Sequence, residues 1–235
     1  MQQYNKNISL SVILPAYDDE FTIREVVSSV IKYIKPEVNR LEIIIVEDGS
    51  PGKTSEICDQ LKIRYPELRV IHHKKNMGYG VTLRDGFNAA TQEIISYTDG
   101  DNQYDIRDLL TAFDILRETG ADAIIGFRDP RRDGLIRFFI SKIYNLLFRI
   151  FFGIKVKDVN CSFKIIKRDA FKNLALSSKS AFIDAEIIYE LNRAGFKIRE
   201  MSVKNFLNKF RRSHFRNPKL ILGMLDEMYK KRFSS

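Results

Sequence analysis

Two carboxylates stand one residue apart in Thr98-Asp99-Gly100-Asp101-Asn102-Gln103, directly after the apolar run at 94–97. Carboxylate oxygens in this pattern suit Mg2+ or Mn2+, hard cations that keep waters and take phosphate oxygens as further ligands. A cation held there would neutralise a departing diphosphate. The same residues also make an ordinary solvated Asp-Gly turn. Three more loops carry signals of this kind. Val46-Glu47-Asp48-Gly49-Ser50 offers an acid to a ribose or a base, or else caps a helix. Pro15-Ala16-Tyr17-Asp18-Asp19-Glu20 sets a ring that can stack on a base beside carboxylates suited to a helix start. Asn76-Met77-Gly78-Tyr79-Gly80 lets backbone approach a ligand closely, and it is neither a dinucleotide fingerprint nor a P-loop.

These loops need a frame, and the hydrophobic pattern supplies one. Short β-rich runs (8–14, 41–46, 68–72, 94–97, 123–126) alternate with helical periodicity at 21–34, 54–65, 80–90 and 106–119. Such alternation predicts βαβ units and a parallel sheet covered on both faces, with right-handed crossovers. Ligands of these sheets lie beyond the carboxyl ends of the strands, where all four loops fall. After residue 126 the pattern changes. A basic, aromatic helix is expected over 135–152, strands over 158–167 and 196–203, and helices over 183–193 and 219–231. No internal repeat, low-complexity stretch or linker is visible, so 1–235 reads as one domain.

The chain of 235 residues is 44% hydrophobic and carries 17 Phe and 10 Tyr, which excludes disorder as its main state. Cys58 and Cys161 make neither a disulfide framework nor a metal-ligand spacing. Residues 1–125 hold 14 basic and 20 acidic side chains, net −6; residues 126–235 hold 25 and 10, net +15. The acidic half suits a cation, the basic half a phosphate or an anionic membrane. Nucleic acid is set aside, since the basic residues are interleaved with Phe and Ile and match no recognition module. No basic leader precedes the first apolar run, and Arg137, Lys142 and Arg149 interrupt the 135–152 segment, so it is not read as a span. It is read as an interfacial helix, which places the protein in the cytoplasm, peripheral on the cytoplasmic face of the membrane. The same apolar face could instead bury in a homodimer.

Seven segments in order carry a family resemblance: SVILPAYDDE, EIIIVEDGS, NMGYGVTLRDGFNAA, TDGDNQYD, GFRDPRRDG, DVNCSFKIIKRDAF and IDAEIIYELNRAGFKI. The chain resembles the family 2 glycosyltransferases of GT-A fold, and among them the polyprenyl-phosphate sugar synthases. The resemblance implies an α/β, Rossmann-like, mostly parallel twisted sheet flanked by helices, with a basic helical insertion and a C-terminal helix. It implies transfer from a nucleotide-diphosphate sugar to a polyprenyl-phosphate lipid, with inversion and with Mg2+ or Mn2+. Pro15, Ala16, Tyr17 and Asp19 match the loop around the nucleotide, with Asp19 where Glu is usual. Val46 and Asp48 match base and ribose contacts. Asp99, Gly100 and Asp101 match the Asp-x-Asp motif, Gln103 a further metal ligand, and Arg128 a basic residue that reaches the diphosphate. Asp158 and Lys164 match the acceptor-side motif. In the late loop Asn208, Arg211 and His214 depart from the pattern, and Lys209, Arg211 and Arg212 supply charge for the acceptor phosphate. A lipid phosphate, with a second pKa of ~6, needs no general base. A sugar hydroxyl would need one, and Asp184 and Glu186 are the candidates, two residues apart and so on different helix faces. A glycan acceptor, or nucleotide-sugar binding without turnover, stays open at this point.

Overall fold

The computed structural model describes residues 8–129, 135–206 and 218–233. Among the described residues one seven-stranded sheet runs through the molecule. The strands are β1 (Ser9–Ala16), β2 (Arg40–Glu47), β3 (Leu68–His72), β4 (Ile94–Tyr97), β5 (Ala123–Arg128), β6 (Lys164–Lys167) and β7 (Ile198–Val203), in the order β3-β2-β1-β4-β6-β5-β7. All pairings are parallel except those of β6, which runs antiparallel to both β4 and β5. The expected strand over 158–167 is therefore confined to its last four residues, and 158–163 forms a loop.

The helices are α1 (Ile23–Tyr33), α2 (Thr54–Arg64), α3 (Tyr79–Ala89), α4 (Asp108–Thr119), α5 (Leu135–Phe152), the single-turn α6 (Arg168–Phe171), α7 (Ile183–Arg193) and α8 (Pro218–Phe233). The two-residue period of the strands divides the core into layers. Leu10, Val12, Leu14, Ile43 and Ile45 share a cluster with side chains of α1, α2 and α4. Ile13, Ile44, Val46 and Ile95 share another with Leu83 and Phe87 of α3 and Ile183, Ile187 and Leu191 of α7. A third cluster joins Tyr144 and Phe148 of α5 to Phe182, Ile188, Met224 and Met228, so α5, α7 and α8 close the basic end. α5 buries Ser141, Tyr144 and Phe148, whereas Phe139, Ile143, Leu146 and Ile150 form an exposed apolar stripe on another face. Among the described residues no helix is long and apolar enough to cross a membrane.

Candidate active site

The ends of β1 and β4 are stitched together before any side chain acts. Thr98 N–H donates to Ile13 O (3.2 Å) and Gly100 N–H to Pro15 O (3.3 Å). A Cβ on Gly100 would lie 3.1 Å from both Ile23 Cδ1 and Pro15 O, so the Asp-Gly-Asp turn is seated against the first loop. Asn102 adopts φ 58°, the left-handed region that Asn tolerates. The turn lets Gln103 N–H donate to Asp101 Oδ1 (3.1 Å). The late loop starts from this place, because Phe206 N–H donates to Gln103 O (2.7 Å).

A cavity of about 480 Å3 lies beyond these strand ends. Its wall brings together Pro15, Ala16, Tyr17, Asp19 and Asp48 with Asp99, Asp101, Gln103, Arg128 and Asp184. Gly100 lies just behind it as the hinge of the turn. Asp99 is half-buried, and its Oδ1 accepts from Tyr79 Oη–H (2.8 Å). Burial, followed by the neighbouring charge of Asp101, pushes the Asp99 carboxyl up to about 7. Like charges crowded on one cavity wall are what a divalent cation would relieve. Among the described residues no three or more His, Cys, Asp or Glu gather to hold a metal. A cation at Asp99, Asp101 and Gln103 would thus complete its shell with waters and ligand phosphates, as Mg2+ and Mn2+ do. The donor set fits the cation.

Asp48 lines the cavity and also braces the neighbouring loop. Its Oδ1 takes Met77 N–H (2.8 Å) and lies 2.7 Å from His73 Nδ1, and its Oδ2 takes Gly78 N–H (3.0 Å). It therefore holds the Asn76–Gly80 loop while still lining the cavity. His73 Nε2 reaches Asp85 (3.0 Å), so this histidine, to which the sequence assigns no role, bridges two carboxylates. Gly49, at φ +65°, admits the contact between the loops, since a Cβ there would lie 2.5 Å from Lys75 C.

Three expected site residues are corrected. Val46 is fully buried in the α3-side core, because the strand alternation turns it away from the cavity. Lys164 is 0% exposed, and its Nζ donates to Asp184 Oδ1 and to Cys161 O, both at 2.6 Å. It is the buried counter-charge of Asp184 and does not meet an acceptor phosphate. Glu186 lies away from the cavity; it takes the N–H groups of Ser177 (3.0 Å) and Ser178 (2.9 Å) and pairs with Lys231 (2.9 Å). Of the two acids only Asp184 reaches the cavity wall. Tyr97 Oη–H also donates to its Oδ1, whereas its Oδ2 has no partner among the described residues. Arg128 lines the cavity, but its guanidinium is tied bidentately to Asp158 (2.7 and 2.9 Å). Lys209, Arg211 and Arg212 lie outside the described residues.

Several wall residues were not singled out in the sequence. Tyr79 and Tyr104 sit within quoted motifs, and the aromatic at each place was the available signal. Asn160 and Ser162 lie within the quoted DVNCSFKIIKRDAF segment, whereas Lys179, Met224 and Glu227 stand in a loop and on a helix with no chemical pattern around them. Cys161 is buried, its thiol pushed up to about 12 chiefly by desolvation, so it is not a nucleophile.

A parallel sheet whose strand-end loops share one acidic crevice, with a single antiparallel strand beside the Asp-x-Asp turn, is the GT-A architecture of nucleotide-sugar enzymes. The chain belongs to glycosyl transferase family 2, whose sequence profile matches residues 11–175. It is 31% identical over 208 residues to the glycosyltransferase AglD of Haloferax volcanii, covering 83% of this chain and 33% of that protein. It is 27% identical over 238 residues to a dodecaprenyl-phosphate galacturonate synthase of Rhizobium johnstonii, covering 98% and 69%. The chain thus spans one third of the first relative and about two thirds of the second. The crystal structure of glucosyl-3-phosphoglycerate synthase from Mycobacterium tuberculosis in complex with Mn2+, UDP and glucosyl-3-phosphoglycerate has the same fold, with a TM-score of 0.70 at 16% identity, covering 96% of this chain and 80% of that one.

Proposed function

We infer that the chain transfers a glycosyl unit, with inversion, from a nucleoside diphosphate sugar to a polyprenyl phosphate. The observation that carries this reading is the crowded Asp99–Asp101 pair opening into the cavity that Tyr17, Asp19 and Asp48 also line. Tyr17 would stack on the base, and the Asn76–Gly80 backbone held by Asp48 would approach the nucleoside; that both line the cavity supports this. Asp99, Asp101 and Gln103 would hold Mg2+ or Mn2+, which when bound neutralises charge developing on the diphosphate. An anionic oxygen of the acceptor phosphate donates its electron pair to the anomeric carbon. The bond from that carbon to the donor phosphate oxygen breaks, and its pair leaves with the nucleoside diphosphate. No proton has to be removed, which agrees with the engagement of Asp184 Oδ1 by Lys164 and Tyr97. The dodecaprenyl-phosphate relative supports the lipid acceptor.

The test is a panel of UDP-, GDP-, dTDP- and CDP-sugars, with and without Mn2+, read as thermal shift and as transfer to a short-chain polyprenyl phosphate. One donor at about 100 times its dissociation constant should add about 2.7 kcal/mol, or about 5–10 °C for a chain of this size. The shift should require metal and vanish in Asp101→Ala. A folded protein that no donor stabilises would remove the basis of this reading.

The exposed stripe Phe139, Ile143, Leu146 and Ile150, with Lys142 and Arg149 alongside, supports seating on an anionic membrane surface, the cytoplasmic leaflet. Co-flotation with vesicles containing phosphatidylserine should fall at least about tenfold in the double variant Phe139→Glu, Ile143→Glu, since two large side chains of stripe area are lost. A concentration-dependent dimer with no vesicle binding would assign the stripe to a second copy instead.

A further inference from the structure

The described wall of the cavity carries six carboxylates and two cations. Arg128, one of the two, is engaged by Asp158. The other is Lys179, whose ammonium makes no hydrogen bond or ion pair with any described residue. Its side chain is exposed, but its backbone is among the most constrained in the site. Glu227 of α8 takes Lys179 N–H on Oε1 (3.0 Å), and its Oε2 takes the hydroxyls of Ser178 (2.5 Å) and Ser180 (2.6 Å). From the other side Gly80 N–H donates to Lys179 O (3.1 Å). That approach tolerates no side chain, because a Cβ on Gly80 would lie 2.4 Å from Ser178 O and one on Gly78 2.8 Å from Lys179 O. The root of Lys179 is thus fixed at once to the glycine loop of the first half and to the closing helix.

The surroundings say what a cation here would meet. Leu220, Met224 and Glu227 recur at helical spacing, so one face of α8 lines the cavity. Along that face two apolar side chains lead to the carboxylate that clamps the Lys179 loop. Lys179 is bound through its backbone to the residue that ends this apolar face, and a cationic residue beside such a face suits an amphiphile with an anionic head and a hydrocarbon tail. In the function inferred above, the donor diphosphate is served at Asp99 and Asp101, on other loops of the same wall. We propose that Lys179 binds the phosphate head of the acceptor lipid, with Leu220 and Met224 flanking the first part of its chain. The proposal rests on the function inferred above and names a residue for the role from which the burial of Lys164 removes that lysine.

The experiment compares wild type with Lys179→Gln and Lys179→Arg, all loaded with Mn2+ and the nucleotide found in the donor panel. Calorimetry measures binding of a short-chain isoprenyl monophosphate, of the matching isoprenyl alcohol and of inorganic phosphate. Transfer assays give KM and kcat for the same monophosphate. Lys179→Gln should weaken monophosphate binding and raise the acceptor KM by at least about tenfold, the loss of one charge-assisted contact. Donor affinity should stay within about twofold in this variant, a factor worth less than half a kcal/mol. Alcohol binding should not move, inorganic phosphate should weaken in parallel with the monophosphate, and Lys179→Arg should recover most of the loss. Equal monophosphate affinity in wild type and Lys179→Gln would overturn the assignment and leave the lipid acceptor standing. A loss confined to donor affinity would also overturn it, giving the charge to the donor diphosphate. A wild type that binds no isoprenyl monophosphate would sink the acceptor reading and this assignment together.

Discussion

Asp99→Asn is expected to make the metal-free protein more stable and the enzyme nearly inactive. The Asp99 carboxyl is pushed up to about 7 in the folded chain against 3.8 for the ordinary side chain, by desolvation first and by the charge of Asp101 second. Between these two values the folded state holds a proton that the unfolded state has released. Stability from this group is therefore complete below about pH 4, falls as pH rises towards 7, and is lowest above it. Asparagine is neutral throughout and can still accept from Tyr79 Oη–H, so the variant should lack this fall. Metal-free denaturation curves at pH 5 and pH 8 measure the difference; the gain over wild type should appear at pH 8 and shrink at pH 5. Mn2+ with nucleotide should reverse the ranking, since only wild type offers two carboxylates. Transfer should drop at least about 100-fold, the scale seen when one group stabilising transition-state charge is removed. An Asp99→Asn protein with an intact Mn2+-dependent shift would separate this carboxylate from the metal. For wild type the same titration makes Mn2+ affinity fall as pH is lowered through about 7.

Lys164→Met should act on folding instead of on acceptor binding. Its ammonium is fully buried against Asp184 and the Cys161 carbonyl. Removing one partner of a buried pair leaves the other charge uncompensated, at a cost of about 3–5 kcal/mol. For a chain of this size that is a fall in Tm of about 10 °C or more. The double variant Lys164→Met, Asp184→Asn should recover part of the loss, because the orphaned charge is gone. Urea denaturation of the two single variants and the double one gives the coupling directly. A Lys164→Met protein of unchanged stability and raised acceptor KM would return Lys164 to the phosphate-binding role that its motif implies.

Where sequence and structure diverge, the reason is geometric. The parallel βαβ half was legible because each strand is a local apolar run and each crossover a local periodicity. The strands at 68–72 and 94–97 and the helix at 183–193 fall where the pattern puts them. Val46 was misplaced because its motif straddles the end of β2: the strand alternation still governs Val46, while Asp48 two residues on belongs to the loop. Asp184 and Glu186 looked equivalent in sequence, and the turn of α7 sends one to the cavity and the other to the loop behind it. Lys164 carries a charge that exposure would normally accompany, and only the tertiary pairing with Asp184 buries it. The insertion of β6 between β4 and β5 was not readable at all, since strand order rests on contacts between residues about 70 positions apart in the β4 pairing and about 40 in the β5 pairing. Lys179 had no sequence signal, because its loop gains meaning only from the two glycines and the glutamate that pin it.

That inserted strand also ties the two halves of the chain together. β4 carries the Asp-x-Asp turn and is bordered by β1 on one side and by β6, drawn from the second half of the chain, on the other. A crossover joining the first 125 residues to a foreign partner would leave the edge of β4 bare unless the newcomer supplied a strand of the same length and direction. The two halves of the sheet are thus one structural piece: substitutions in the loops and helices that line the cavity leave the sheet intact, and grafting one whole half onto another is the harder route.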